Sequence, residues 1–163
     1  MDHSFDVSRD FDFEFGQWRV KHRRLRERLV GCDEWDVFGG LSETRPVLGG
    51  NGNVEDNYLE FPERPIRAIA VRSYNAQSMS WAIWWLSSND PHQLDNPVVG
   101  KFENGVGSFF ANETMNGTPV LVRFLWLQTD TPAPRWEQAM SADSGKTWET
   151  NWTMDFSRMS SSP

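Results

Sequence analysis

Several polar side chains are set into otherwise apolar stretches, and these are the residues whose types could do chemistry. Arg123 lies between Leu121 and Leu125 in VLVRFLW, Glu137 in RWEQ, Glu55 and Asn57 in VEDNYLEF, and Arg72 in the run from Ile66 to Tyr74. Asn151 stands between Trp148 and Trp152. An arginine held away from water offers a planar fork that can grip a carboxylate, phenolate or enolate oxygen. A desolvated glutamate has its pKa raised and can pass a proton near neutral pH. Arg123, Glu137 and Glu55 are therefore the candidate catalytic groups, with Glu137 the natural partner of Arg123 on the next strand and Glu55 the second choice. Asn57, Arg72, Trp84, Trp85, His92, Trp126, Asn151 and Trp152 are the candidate ligand-binding residues. The plain alternative is a set of structural ion pairs fixing strand register on an outer wall.

Such a cluster needs no metal and no cofactor, and none is expected. The three histidines are widely spaced, with no HxH, HExxH or CxxC pattern to bind zinc. Haem held by a single axial histidine leaves no spacing signature and stays open. His22 and His92 are the groups that titrate near neutrality. Cys32 is the single cysteine, so no intrachain disulfide is possible.

The elements that must position these residues are strands. Trp18, Val20 and His22 share one face of a strand predicted over 17–28, with Arg19, Lys21 and Arg23 on the other; a period of two is the signature of a sheet. The basic run from Lys21 to Arg28 reads as a solvated strand face with a charged loop, and a polyanion patch is its alternative. Further strands are predicted over 34–40, continuing over 42–48 after a Gly-Gly bend, and over 54–61, 66–74 and 79–87. Others follow at 98–102, 107–113 and 119–128. Trp84 and Trp85 must face opposite ways, so one of them faces inward. Phe11, Phe13 and Phe15 form a short helical turn or strand that plugs one end of the core. The stretch from Asn89 to Pro97 is the longest irregular segment and a candidate lid. Residues 135–140 and 148–156 form a final hairpin joined by Ser141-x-Asp143-x-Gly145-x-Thr147-Trp148, which resembles the Asp-box turn. In such a turn Asp143 bonds backbone N–H groups, Gly145 takes positive φ and Trp148 caps the loop. Arg123 sits in a strand that is apolar on both faces, so that strand is either covered on both or turns one face to a cavity.

Short strands joined by tight turns, almost no helix and no βαβ alternation predict an all-β, antiparallel up-and-down β-barrel of about 8–10 strands, enough to hold one small ligand. A chain of 163 residues makes one domain, expected over 11–158, with a flexible N-terminus at 1–10 and a Ser-rich disordered tail at 159–163. Nine Trp and eleven Phe against two Tyr suit a well-filled core or a pocket for a flat apolar molecule. Net charge of −7 argues against nucleic-acid binding. No stretch has the length of a membrane span, and the opening MDHSFDVSRDFDFEF has no basic segment followed by an apolar run; a cytoplasmic protein is expected. An apolar outer strand face would favour a homodimer.

Taken together, GQWRVKHRRL, LGGNGNVEDN, WAIWWL, PVVGKFENGVGSFF, VRFLW and RWEQAMSADSGKTWETNW resemble an uncharacterised bacterial group of the DUF1579 type, over about Phe11 to Arg158. The resemblance implies a lipocalin-like (calycin) barrel, in which the Trp of an early Gly-x-Trp packs across the closed end. It implies no substrate. Three functions are open: binding of a small apolar or aromatic molecule, cofactor-independent catalysis (a lyase, isomerase or hydrolase) through the Arg/Glu cluster, and an interaction barrel without a ligand.

Overall fold

Alternating side chains along nearly every segment become ten antiparallel strands in the computed structural model, which describes residues 8–159. They are β1 (Gly16–Leu25), β2 (Trp35–Val47), β3 (Gly52–Leu59), β4 (Ile66–Asn75), β5 (Ser80–Ser87), β6 (Val98–Glu103), β7 (Val106–Met115), β8 (Thr118–Leu127), β9 (Arg135–Ser141) and β10 (Glu149–Arg158). Each strand pairs with its sequence neighbours, and β1 pairs with β10, so the sheet closes in up-and-down order. Closure gives every strand a partner on both sides, although β5 meets β6 only over Trp81–Ile83. The even count brings the start of β1 and the finish of β10 to the same end, here the lower one.

The lower end is shut by a single 3₁₀ turn, Asp12–Glu14. Phe11 enters the barrel ahead of it and packs edge-on against Trp81 and Phe102, with ring centroids 4.8 and 5.0 Å away. Trp18 Nε1 donates to the Glu14 carbonyl at 2.8 Å, and Arg158 donates to the carbonyls of Phe15 and Phe13 at 2.8 and 3.3 Å. The aromatic spacing thus makes the plug its sequence suggests, held by side chains from the first and last strands. Burying each such ring is worth roughly 1.5–3 kcal/mol. Of the ends expected to be loose, 1–7 and 160–163 lie outside the described residues. Among the described residues beyond 11–158, Asp10 accepts the Trp81 indole N–H at 3.0 Å, and Met159 donates its backbone N–H to the Gln17 carbonyl at 3.0 Å.

The remaining loops follow from the chain's own chemistry. The Asp-box turn forms as expected. Asp143 accepts from the Thr147 backbone N–H at 2.9 Å and the Thr147 hydroxyl at 2.6 Å, Gly145 has φ +89°, and Trp148 folds back over the outer wall beside Phe110. Two strands differ from expectation. β2 runs unbroken through Gly39 and Gly40, because a Cβ at Gly40 would collide with the Tyr58 carbonyl and lie 3.0 Å from His22 Nε2; the glycine clears room for a buried ring and does not end the strand. β1 stops at Leu25, and the next residues turn back, with Arg26 pairing with Glu34 at 3.1 Å and Asp36 at 2.9 Å. That early turn carries Arg28 over the upper mouth. The irregular segment 88–97 lies at the same end.

Candidate functional site

The inward residues divide the barrel into a polar floor and an aromatic chamber. Neighbouring strands at the floor place Ser42, Asn53, Glu55, Asn57 and Arg72 inside, all buried. Arg72 forms a salt bridge with Glu55 and donates to Asn53 Oδ1 at 2.9 Å, while Ser42 donates to the other Glu55 oxygen at 2.7 Å. The Arg72 guanidinium also lies over Phe11 and Trp126, 4.8 and 5.5 Å from their ring centres. Paired, bonded and sandwiched, this cluster meets most of the demands of burying charge, with Arg72 Nε alone of the guanidinium nitrogens left without a partner among the described residues. Glu14 on the plug does not: it is fully buried, and both carboxylate oxygens lack a partner among the described residues. Burial, reinforced by the nearby Glu55 charge and only partly opposed by Arg72 and Arg158, holds Glu14 well above the usual carboxylate range.

Above the floor, space narrows to about 20 Å³ between Arg72, Trp126 and Trp136, room for about one water. It then widens into two adjoining compartments of about 190 and 250 Å³. Trp85, Phe124 and Gln138 border both. Trp152 stands edge-on to Trp136 and Trp85, at centroid distances of 5.8 and 6.1 Å, and Phe124 stands edge-on to Trp136 at 4.9 Å. These contacts hold the rings in place as walls of the chamber. Second contacts fix the walls in turn. Trp152 Nε1 donates to His22 Nδ1 at 3.1 Å, and Gln138 Nε2 donates to Asn151 Oδ1 at 2.7 Å across a β-bulge between Thr150 and Trp152. His22 stacks flat on Phe38 at 4.8 Å, and burial lowers its pKa to about 3, so it is a neutral acceptor at all ordinary pH.

The mouth carries charge of both signs. Arg24 and Arg28 border the 190 Å³ compartment together with Asp95 from the long upper loop, and Glu113 lines the larger one. Burial lowers Arg28 to about 10, helped by the neighbouring Arg24 charge and opposed by Glu149 and Asp95. Arg24 is also lowered by burial, and Asp95 is raised by burial and by Asp90 against the pull of Arg28. Larger grooves of about 700 and 350 Å³ lie on the rim and outer wall, bordered mainly by charged and polar side chains.

Of the residues singled out in the sequence, Glu55, Asn57, Arg72 and Trp126 come together at the floor, and Trp85, Asn151 and Trp152 at the chamber. Four others do not join them. Arg123 and Glu137 point outward, because Val122, Phe124 and Trp126 take the inner face of β8, and Trp136 and Gln138 that of β9. Nor do the two pair: Arg123 faces Ala139 in register and lies over Trp148 at 4.3 Å, while Glu137 approaches Arg135 at 3.7 Å. The outer face of β8 is apolar because the Asp-box Trp148 covers it. Trp84 takes the outer face opposite Trp85, and His92 is exposed in the upper loop. Conversely, Arg24, Arg28, Asp95, Phe124, Trp136 and Gln138 belong to the chamber without having been singled out. For Arg24 the signal was present, since Trp18, Val20 and His22 continue to it at the same spacing.

Among the described residues no helix is long and apolar enough to cross a membrane. No protein-family model matches the chain, and no curated protein is significantly similar to it.

Proposed function

We propose that this barrel binds a small apolar or aromatic molecule in its upper chamber. The chamber itself carries the reading. A space of about 150 Å³ admits a benzene ring, and the two compartments here are about 190 and 250 Å³, with aromatic walls from Trp85, Phe124, Trp136 and Trp152 and charged groups at the mouth. A barrel built only for packing would fill such space with side chains, since protein interiors pack as densely as organic crystals. Flat ligands gain from ring faces beyond the area they bury. Kinship with calycin barrels of the DUF1579 type belongs to the same proposal and draws support from Trp18, which lies against the plug at the closed end.

Binding is favoured over turnover by the state of the floor. Glu55 already accepts from Arg72 and Ser42, and the gap above the pair holds about one water, so an organic substrate has no seat against these groups.

Native mass spectrometry of protein purified without added ligand, with tryptophan fluorescence titrations of neutral one- and two-ring aromatics, tests the proposal. The expected result is a retained small molecule or saturable quenching. A clean protein mass with no saturable change for any aromatic would favour an interaction barrel without a ligand.

A further inference from the structure

Two guanidinium groups at the chamber mouth form no direct ion pair among the described residues, although Asp36 lies near Arg24 and Glu149 and Asp95 near Arg28. Among the described residues, neither Arg24 nor Arg28 forms a salt bridge or a side-chain hydrogen bond, and Arg24 Nε is buried with no partner at all. The nearby carboxylates are not bonded to either arginine. Asp36, nearest to Arg24, accepts from Arg26 Nε at 2.9 Å. Glu149, near Arg28, accepts from the Leu29 backbone N–H at 2.7 Å. Asp95 borders the same compartment as both arginines yet bonds to neither.

The two groups are also held in place. The Arg24 guanidinium lies over the Trp152 and Phe61 rings at 5.3 and 5.6 Å, so its charge sits directly above the aromatic wall. Arg28 borders both compartments. Two like charges set together, partly withdrawn from water and unpaired, are costly as they stand. That cost falls when an anion arrives, because arginine forks bind a carboxylate through paired, charge-assisted hydrogen bonds.

We infer that the chamber's ligand is a flat aromatic acid, its carboxylate seated between Arg24 and Arg28 and its ring system in the compartment below them, bordered by Trp85, Phe124, Trp136 and Trp152. The inference rests on the chamber-binding reading and deepens it. It assigns the mouth arginines the role of reading the ligand's charge, and the walls the role of reading its shape.

The test compares naphthoic acid with naphthamide, which has nearly the same shape and no charge, by calorimetry at pH 7.5 on the full chain. In the unaltered protein the acid is expected to bind at least tenfold more tightly than the amide, with the difference shrinking as salt is raised. In an Arg24→Gln/Arg28→Gln variant with an unchanged circular dichroism spectrum, the acid is expected to fall to the affinity of the amide. An Arg24→Lys/Arg28→Lys variant keeps the charge and is expected to keep part of the preference. Equal affinities for acid and amide in the unaltered protein would overturn the inference while leaving the chamber reading intact, and so would a preference that survives in the Gln variant. Binding of neither compound would overturn both.

Discussion

Trp152 donates its indole N–H to His22 Nδ1 at 3.1 Å, tying the last strand to the first where the barrel closes. The bond also orients a wall of the chamber, and it exists only while His22 is neutral. His22 has a folded pKa of about 3 against an ordinary value of 6.5, so on acidification the unfolded chain takes up this proton first. Its contribution to stability is complete above pH 6.5 and is lost as pH falls toward 3, with a slope of up to about 1.4 kcal/mol per pH unit. A His22→Phe protein should lack that slope and be about 1–3 kcal/mol less stable at pH 7.5, from the orphaned indole N–H. Urea unfolding of both proteins at several pH values between 4.5 and 7.5 checks this, and an identical pH slope in the two would contradict it.

Glu14 works with the opposite sign. Its folded pKa lies above its unfolded value, so the unfolded chain ionises first as pH rises and stability declines above about pH 4.5. Glu14→Gln keeps the shape and removes the titration. It should raise stability by at least about 1 kcal/mol at pH 8, with a smaller effect at pH 4, measured by the same unfolding method. Equal effects at the two pH values would mean that the carboxyl finds a partner.

The Arg72–Glu55 pair is a mutual dependence. Arg72→Met alone leaves a buried carboxylate unpaired and should cost about 3–5 kcal/mol. Adding Glu55→Leu should return much of that loss. A double-mutant cycle by chemical denaturation measures the coupling, and simple additivity would show that the two side chains do not interact.

The Asp-box turn is a device for the outer wall. Gly145→Ala forces a side chain onto φ +89° and should cost about 1–3 kcal/mol. Asp143→Ala removes the acceptor for the Thr147 N–H and should speed exchange of that amide and open Trp148 to acrylamide quenching. Ligand affinity should stay unchanged in both, because the turn touches the outside of β8 through Trp148 and Arg123. A loss of affinity would place the turn within the binding machinery.

These contrasts explain what could be read in advance. Period-two alternation marked the strands, and in β1 it set Trp18, Val20 and His22 apart from Arg19, Lys21 and Arg23; in β3 it could not mark the inner face, because that face carries Asn53, Glu55 and Asn57 while Val54 and Tyr58 lie on the outer one. It could not do so for β8 either, where Leu121, Arg123 and Leu125 alternate with Val122, Phe124 and Trp126. The side on which Arg123 lies was decided by Trp148, 25 positions along the chain and in another element. Arg24 was legible as the next inward position after His22. Arg28 and Asp95 were not, since they lie outside strands and reach the mouth through turns whose paths local pattern does not encode. That neither arginine is bonded to a carboxylate among the described residues emerges only from where Asp36, Asp95 and Glu149 lie in three dimensions.

The central claim is that the upper chamber holds an aromatic ligand, and locating a heavy atom there tests it most directly. Crystals grown with a saturating bromonaphthol and measured at the bromine absorption edge should give an anomalous peak inside the barrel, bounded by Trp85, Phe124 and Trp136. An empty chamber, or bromine found only on the outer wall, would contradict the account.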